Sequence, residues 1–213
     1  MKPKWILAAA ALLLTGTGVA CRLWVLQLSA QHDKIERLPL LNAPDFRKAK
    51  PGAEVLVAGA LSDRNPLVFE EFVSLIRYRQ SDKRAWLEES RQTPPLWLSA
   101  SDGEVHVVNA NYRLEALEST RRVAVAEHGL KHWQAPTDAS LLVTGFGRGN
   151  RLLAFGKVQP SAGVAELEAT WIYGGTRDEW LADSARSFGV ARLVPWTLWA
   201  LAAVFIGLAF LRR

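Results

Sequence analysis

Only one cysteine, Cys21, stands in this chain of 213 residues, with one methionine and four histidines. A single thiol excludes an intrachain disulfide framework and every metal site built from several cysteines. No GxSxG nucleophile elbow is present, and Cys21 sits in an apolar run far from any His partner in sequence. Gly145-Phe-Gly147-Arg-Gly149 has a superficial glycine-loop look, but it lacks the third glycine of GxGxxG and leads into a strand pattern. His128 and His132 are spaced to share a helix face, yet Gly129 weakens that helix and no third ligand accompanies them. The acidic pairs Glu70-Glu71, Glu88-Glu89 and Asp178-Glu179 point to opposite faces of a strand, as solvated surface does. The expectation is a protein that is not an enzyme and has no metal site and no cofactor.

What the chain does have is long apolar runs. Trp5 to Leu28 reads as a first transmembrane helix and Leu193 to Leu211 as a second. The latter holds 19 residues without a charge, about 28 Å of helix and close to one hydrocarbon core. Trp5, Arg22 and Trp24 on the first run, and Trp196, Trp199, Arg212 and Arg213 on the second, occupy anchor positions at the interfaces. Pro195 is expected in the first turn of the second span, where its missing N–H costs little.

Charge is distributed to match. Residues 1–50 carry 8 Lys+Arg against 3 acids, residues 51–185 carry 14 against 18, and residues 186–213 carry 4 against none. The basicity flanks the apolar runs and the middle is mildly acidic, so a nucleic-acid-binding face is not expected. Basic residues at both ends place both termini in the cytoplasm and the middle outside it.

Residues 31–50 read as a juxtamembrane linker and residues 51–175, opened by Pro51-Gly52, as a β-rich domain. EVLVAGAL (54–61) and FVSLIRYR (72–79) are strand patterns, and residues 95–109 form a hairpin about Asp102-Gly103. In that hairpin Val105 and Val107 face one way, Glu104 and His106 the other. LLVTGFGRGNRLLAFGKV (141–158) reads as a second hairpin turning at Gly149-Asn150. Alternation over 166–172 makes Leu167, Ala169 and Trp171 face a core. Thr176 to Glu179 is a capping box that opens an amphipathic helix over 176–192. The fold class is therefore a membrane protein with two transmembrane helices flanking a mainly-β (small barrel or sandwich, α+β) soluble domain.

The segment TGTGVACR (15–22) also fits a permissive lipoprotein pattern. Gly18 stands where a larger aliphatic residue is usual, and LWVLQL after Arg22 continues the apolar run. An uncleaved span is the preferred reading, with lipidation of Cys21 and cleavage near Ala20 as alternatives.

The layout resembles GIDE-type proteins, relatives of the mitochondrial E3 ubiquitin ligase MULAN, whose domain between two spans is called BAM. The matching pieces are EVLVAGAL (54–61), PLWLSASDGEVHVV (95–108), LLVTGFGRGNRLLAFGKV (141–158) and ATWIYGGTRDEWL (169–181) running into the final span. The family's ligases hold two zinc ions in a RING with eight Cys/His ligands. One cysteine and four histidines cannot supply them, so the resemblance implies a RING-less relative without ligase activity. The expected function is a non-enzymatic, membrane-anchored interaction or scaffold protein of a bacterial inner membrane. Its expected partners are the lipid bilayer and a protein or a second copy. The alternative is a ligand-sensing membrane effector with a pocket lined by His106, Tyr112 or Arg113.

Overall fold

The computed structural model describes residues 3–81, 85–117, 119–124, 140–160 and 165–211. His128, His132, Arg212 and Arg213 lie outside them. The chain divides into two units: Leu38–Arg177, and the two ends together, Met1–Arg37 with Asp178–Arg213.

The middle unit is mainly β. Strands β2 (Glu54–Leu61), β5 (Leu96–Ala100), β6 (Gly103–Val107), β10 (Arg151–Gln159) and β11 (Ala165–Gly174) close into a barrel in the order β2-β10-β11-β6-β5. The last pairing returns to the first, through Ala60↔Ser99 and Leu61↔Leu98. All contacts are antiparallel except β11 with β6. Numbered within the barrel alone the path is 1-2-3-5-4-1, the Greek-key connectivity of an OB-type barrel. Closure needs β2 to serve two neighbours, and Gly59 permits it: a Cβ there would lie 2.8 Å from the Ser99 carbonyl oxygen.

Strand alternation fills the interior with Val55, Val57, Leu96, Leu98, Val105, Val107, Leu152, Ala154 and Leu167. A short helix, α2 (Ala43–Lys48), adds Ala43 and Phe46 to that core. It begins where Asn42 Oδ1 accepts the Asp45 N–H at 2.8 Å, with Pro44 in its first turn. Burying a side chain such as Phe46 contributes about 1.5–3 kcal/mol. Two short strands flank the barrel in parallel, β1 (Leu40–Leu41) on β2 and β7 (Arg113–Glu115) on β11.

Four further strands form a separate antiparallel sheet, β4-β3-β9-β8, from Trp86–Gln92, Phe72–Gln80, Ser140–Gly147 and Ser119–Ala124. Residues 141–158 are therefore not a hairpin. Strand β9 pairs with β3 and β8, while β10 pairs with β2 and β11, so Gly149-Asn150 turns a corner between two sheets. Gly149 has φ +77° and donates its N–H to Leu61, and Asn150 Oδ1 accepts the Gly147 N–H. Turn chemistry reports that the chain reverses, and not which strands then pair.

Strand β11 carries a bulge that simple alternation does not show. Its register against β10 shifts between Phe155 and Gly156, leaving Thr170 as the extra residue of a bulge. Leu167 and Ala169 face the barrel core as expected, but beyond the bulge Ile172 takes over that face. Trp171, although fully buried, sits on the other face with its ring 5.4 Å from that of Phe155.

The unit built from the chain ends is a pair of 35-residue helices, α1 (Pro3–Arg37) and α3 (Arg177–Leu211). They run antiparallel, since Gly18 meets Trp199 while His32 meets Ser184. Along α1 a row of residues withdrawn from solvent, Leu7, Ala11, Leu14, Gly18, Cys21, Val25, Leu28, His32 and Ile35, is spaced alternately by three and four. On α3 Ser184, Phe188, Ala191, Pro195, Leu198 and Ala202 repeat it. A 3.5-residue period is the seam of a left-handed helix pair. The helix expected to end near Leu28 runs on to Arg37, because residues 29–37 contain no Gly or Pro; Leu38, which precedes Pro39, stops it. Likewise α3 does not divide near residue 192. Pro195 lies well inside it, on the buried seam, and deprives the Ala191 carbonyl of its usual donor.

Candidate functional site

The outer wall of the β5–β6 hairpin carries a well-organised polar cluster. Leu96, Leu98, Val105 and Val107 point into the barrel, which sends Trp97, Ser99, Glu104 and His106 outward. Trp97 and His106 are direct cross-strand partners, and their rings stack at 4.2 Å with 14° between planes. Arg64, from the loop after β2, lays its guanidinium 4.1 Å from the Trp97 ring centroid. The same guanidinium donates to Glu104 Oε2 at 2.5 Å, and Ser62 Oγ donates to Glu104 Oε1 at 3.0 Å. The Arg64 hydrogen bond, supported by Ser62, holds the Glu104 carboxyl below the usual carboxylate range against the opposing effect of burial.

Asn65 fixes the loop that delivers Arg64. It is fully buried and behaves like a strand residue: Oδ1 accepts the Trp97 N–H at 2.7 Å and Nδ2 donates to the Trp97 carbonyl at 2.8 Å. Nδ2 also reaches the Ser62 carbonyl, and Arg148 donates twice to the Asn65 carbonyl. The result is a rigid ledge of guanidinium, indole and imidazole open to solvent, with 57% of the Arg64 side chain exposed. Such a ledge can stack a flat group and bond an acceptor. Ser62 donates to a carboxylate already paired with arginine.

Residues 95–109 do form the expected hairpin, closed by Ala100↔Gly103. The positive φ belongs to Gly103 alone, at +147°, and Ser101-Asp102 make the turn without it. Gly103 is also where α2 approaches: a Cβ would stand 3.1 Å from that of Ala43. Gly52 has φ +79° and donates to Val158. Thr176 immediately precedes α3 and Glu179 is its third residue, so the helix starts where the capping box places it.

His106, Tyr112 and Arg113 do not share a pocket. Tyr112 belongs to the barrel core and donates to the Pro94 carbonyl at 2.6 Å, and burial pushes its phenol up. Arg113 is exposed beside Glu115. Glu88 and Glu89 pair with Arg91 and Arg79 across the surface of β3–β4. No group of three His, Cys, Asp or Glu arranged to hold a metal occurs among the described residues.

Of the anchor residues, Trp5, Arg22, Trp24 and Trp196 are exposed on the helices. Trp199 instead packs on Gly18, so tightly that a Cβ there would overlap its indole. Trp196 and Trp199 meet edge to face at 5.3 Å. His32 Nδ1 lies 2.7 Å from Ser184 Oγ, with its ring between Trp180 and Phe188.

Sequence reading passed over Arg64, Trp97 and Asn65. A signal for one contact was present: Trp97 and His106 are equidistant from the Ser101-Asp102 turn, so a two-residue hairpin makes them neighbours. Asn65 gave none, being one polar residue among several in SDRNP.

The chain matches no protein-family model, no curated protein and no solved structure.

Proposed function

We propose that this chain is a membrane-anchored, non-enzymatic interaction protein whose barrel offers the Arg64–Trp97–His106 ledge to a partner. The observation that carries the reading is the outward face of the helix pair. Trp5, Leu12, Leu13, Leu193, Trp196 and Val204 stay 57–79% exposed after α1 and α3 have packed together. So much apolar surface on both helices calls for a lipid environment. Both helices pass the length and hydropathy requirements of a membrane span.

The antiparallel pairing sets the start of α1 beside the end of α3, which supports a two-pass topology with both termini on one side. Lys2, Lys4, Arg212 and Arg213 then favour the cytoplasm for those termini, in a bacterial inner membrane. The order of span, β domain and span supports kinship with RING-less GIDE/BAM-type proteins. On this reading the ledge engages its partner through stacking and charge, with the loop geometry set in advance by Asn65.

Extraction of native membranes with alkaline carbonate tests the anchor. The full chain stays with the sedimented bilayer; release into the supernatant sinks the reading.

A further inference from the structure

We infer that the paired helices fix the depth of the bilayer through a collar of Arg22 and Arg192, which bind the phosphodiesters of glycerophospholipid headgroups. This rests on the membrane reading above and adds to it where the hydrocarbon ends and which groups mark the boundary.

Gly18 is level with Trp199 and His32 with Ser184, so residues whose numbers sum to about 216 or 217 face each other. Arg22 is then level with residues 194–195 and Arg192 with residues 24–25, which puts the two arginines within about 4 Å along the axis. On α1 the residues from Trp5 to Cys21 carry no charge, and on α3 none occurs from Leu193 to Leu211. These stretches come to about 26 and 28 Å, close to one hydrocarbon core. At the far end Lys4 lies level with the end of α3, which the sequence follows with Arg212-Arg213. Two independent stretches of sequence thus begin and end together once paired, although neither requires the other to do so.

Arg22 and Arg192 are both exposed, and neither has an ion-pair or hydrogen-bond partner among the described residues. Two like charges at one level of a helix pair favour an anion beside them. Trp24 and Trp196 are exposed at 57% and 62%, and with Trp199 they lie within about 7 Å of the same level along the axis. Indoles and guanidiniums together are the side chains that settle at headgroup depth. The apolar residues Leu23 and Leu26 then lie in the headgroup zone, so the boundary falls about 9 Å short of Leu28, where the apolar run ends.

The test is spin-label depth measurement on the full chain in vesicles of phosphatidylethanolamine and phosphatidylglycerol. In a Cys21→Ser background, single labels replace the exposed residues Leu13, Val19, Leu23, Leu26, Leu193 and Val204. The expected result is greatest oxygen accessibility at 13 and 204, with accessibility to a polar nickel reagent rising several-fold between 19 and 26 and equal at 23 and 193. Arg22→Gln with Arg192→Gln should move that rise toward Asp33 by a helical turn or more. A rise beyond residue 28, or no movement in the double variant, overturns the collar and leaves the span intact. Polar reagent reaching every site overturns the membrane reading itself. Labels at 13 and 204 shielded from both reagents and broadened by one another show a second copy of the chain as the occupant, and overturn lipid contact.

Discussion

At the scale of single residues, two side chains on the ledge have separable duties. Asn65 is structural. Its amide bonds both backbone groups of Trp97, so Asn65→Ala orphans the Trp97 N–H, while the Trp97 carbonyl keeps the Ser62 N–H at 2.9 Å. The expected loss is about 1–3 kcal/mol, read as a lowered thermal midpoint of the detergent-solubilised chain. Asn65→Asp should be no better, because a carboxylate cannot donate to the carbonyls of Ser62 and Trp97. A variant with unchanged stability would show that the loop holds its shape without this amide. Glu104 is electrostatic. Its folded pKa is lowered, so its pairing with Arg64 is fully present above the unfolded-state value, about 4.3, and is lost as pH falls through the folded value. Wild type and Glu104→Gln should therefore differ by a constant small amount above the unfolded-state value and converge as pH falls through the lowered folded value. Divergence toward low pH would reverse the assigned sign. The solvent exposure of the pair keeps the effect modest at any pH.

Among the elements, the helix pair depends on a notch. Gly18 admits Trp199, and a larger side chain must push the helices apart at mid-length. With His32→Cys and Ser184→Cys in a Cys21→Ser background, oxidation should join the helices efficiently. Adding Gly18→Leu should cut the yield several-fold, whereas an undiminished yield would mean that the seam does not need the notch. The same helices show how much was legible in the sequence. Both apolar runs were plain from composition, because uncharged stretches of that length have few other uses. The seam was not. In an all-apolar run the buried residues differ from their neighbours in size and spacing, not in polarity, so Ala11, Gly18, Val25 and Cys21 looked like filler. Cys21 is half-buried in the helix interface, a placement that its neighbours in TGTGVACR did not announce. Strands with polar alternation were legible individually, and the 95–109 hairpin was legible with its facing. Pairings over long separations, such as β10 with β2 or β6 with β11, leave no local trace. The bulge at Thr170 likewise arises from register; it turns Trp171 to the face opposite Leu167 and Ala169, where it is still fully buried.

Over the whole molecule, the two ends of the chain build one unit and its middle builds another. On the proposed membrane reading this division serves two solvents: the barrel hides its apolar side chains within itself, and the helix pair leaves many of its own outside. The charge distribution follows the same division, basic around the helices and mildly acidic between them. The interaction role then depends on whether a partner meets the β5–β6 wall. Site-specific photo-crosslinking in native membranes tests this most directly. A benzophenone side chain replaces His106 in the full chain, with Leu87 on β4, which is 58% exposed, as the control position. A discrete adduct is expected from position 106 that disappears with Arg64→Ala, and none from position 87. No adduct at 106, or equal adducts at 106 and 87, would contradict the interaction role.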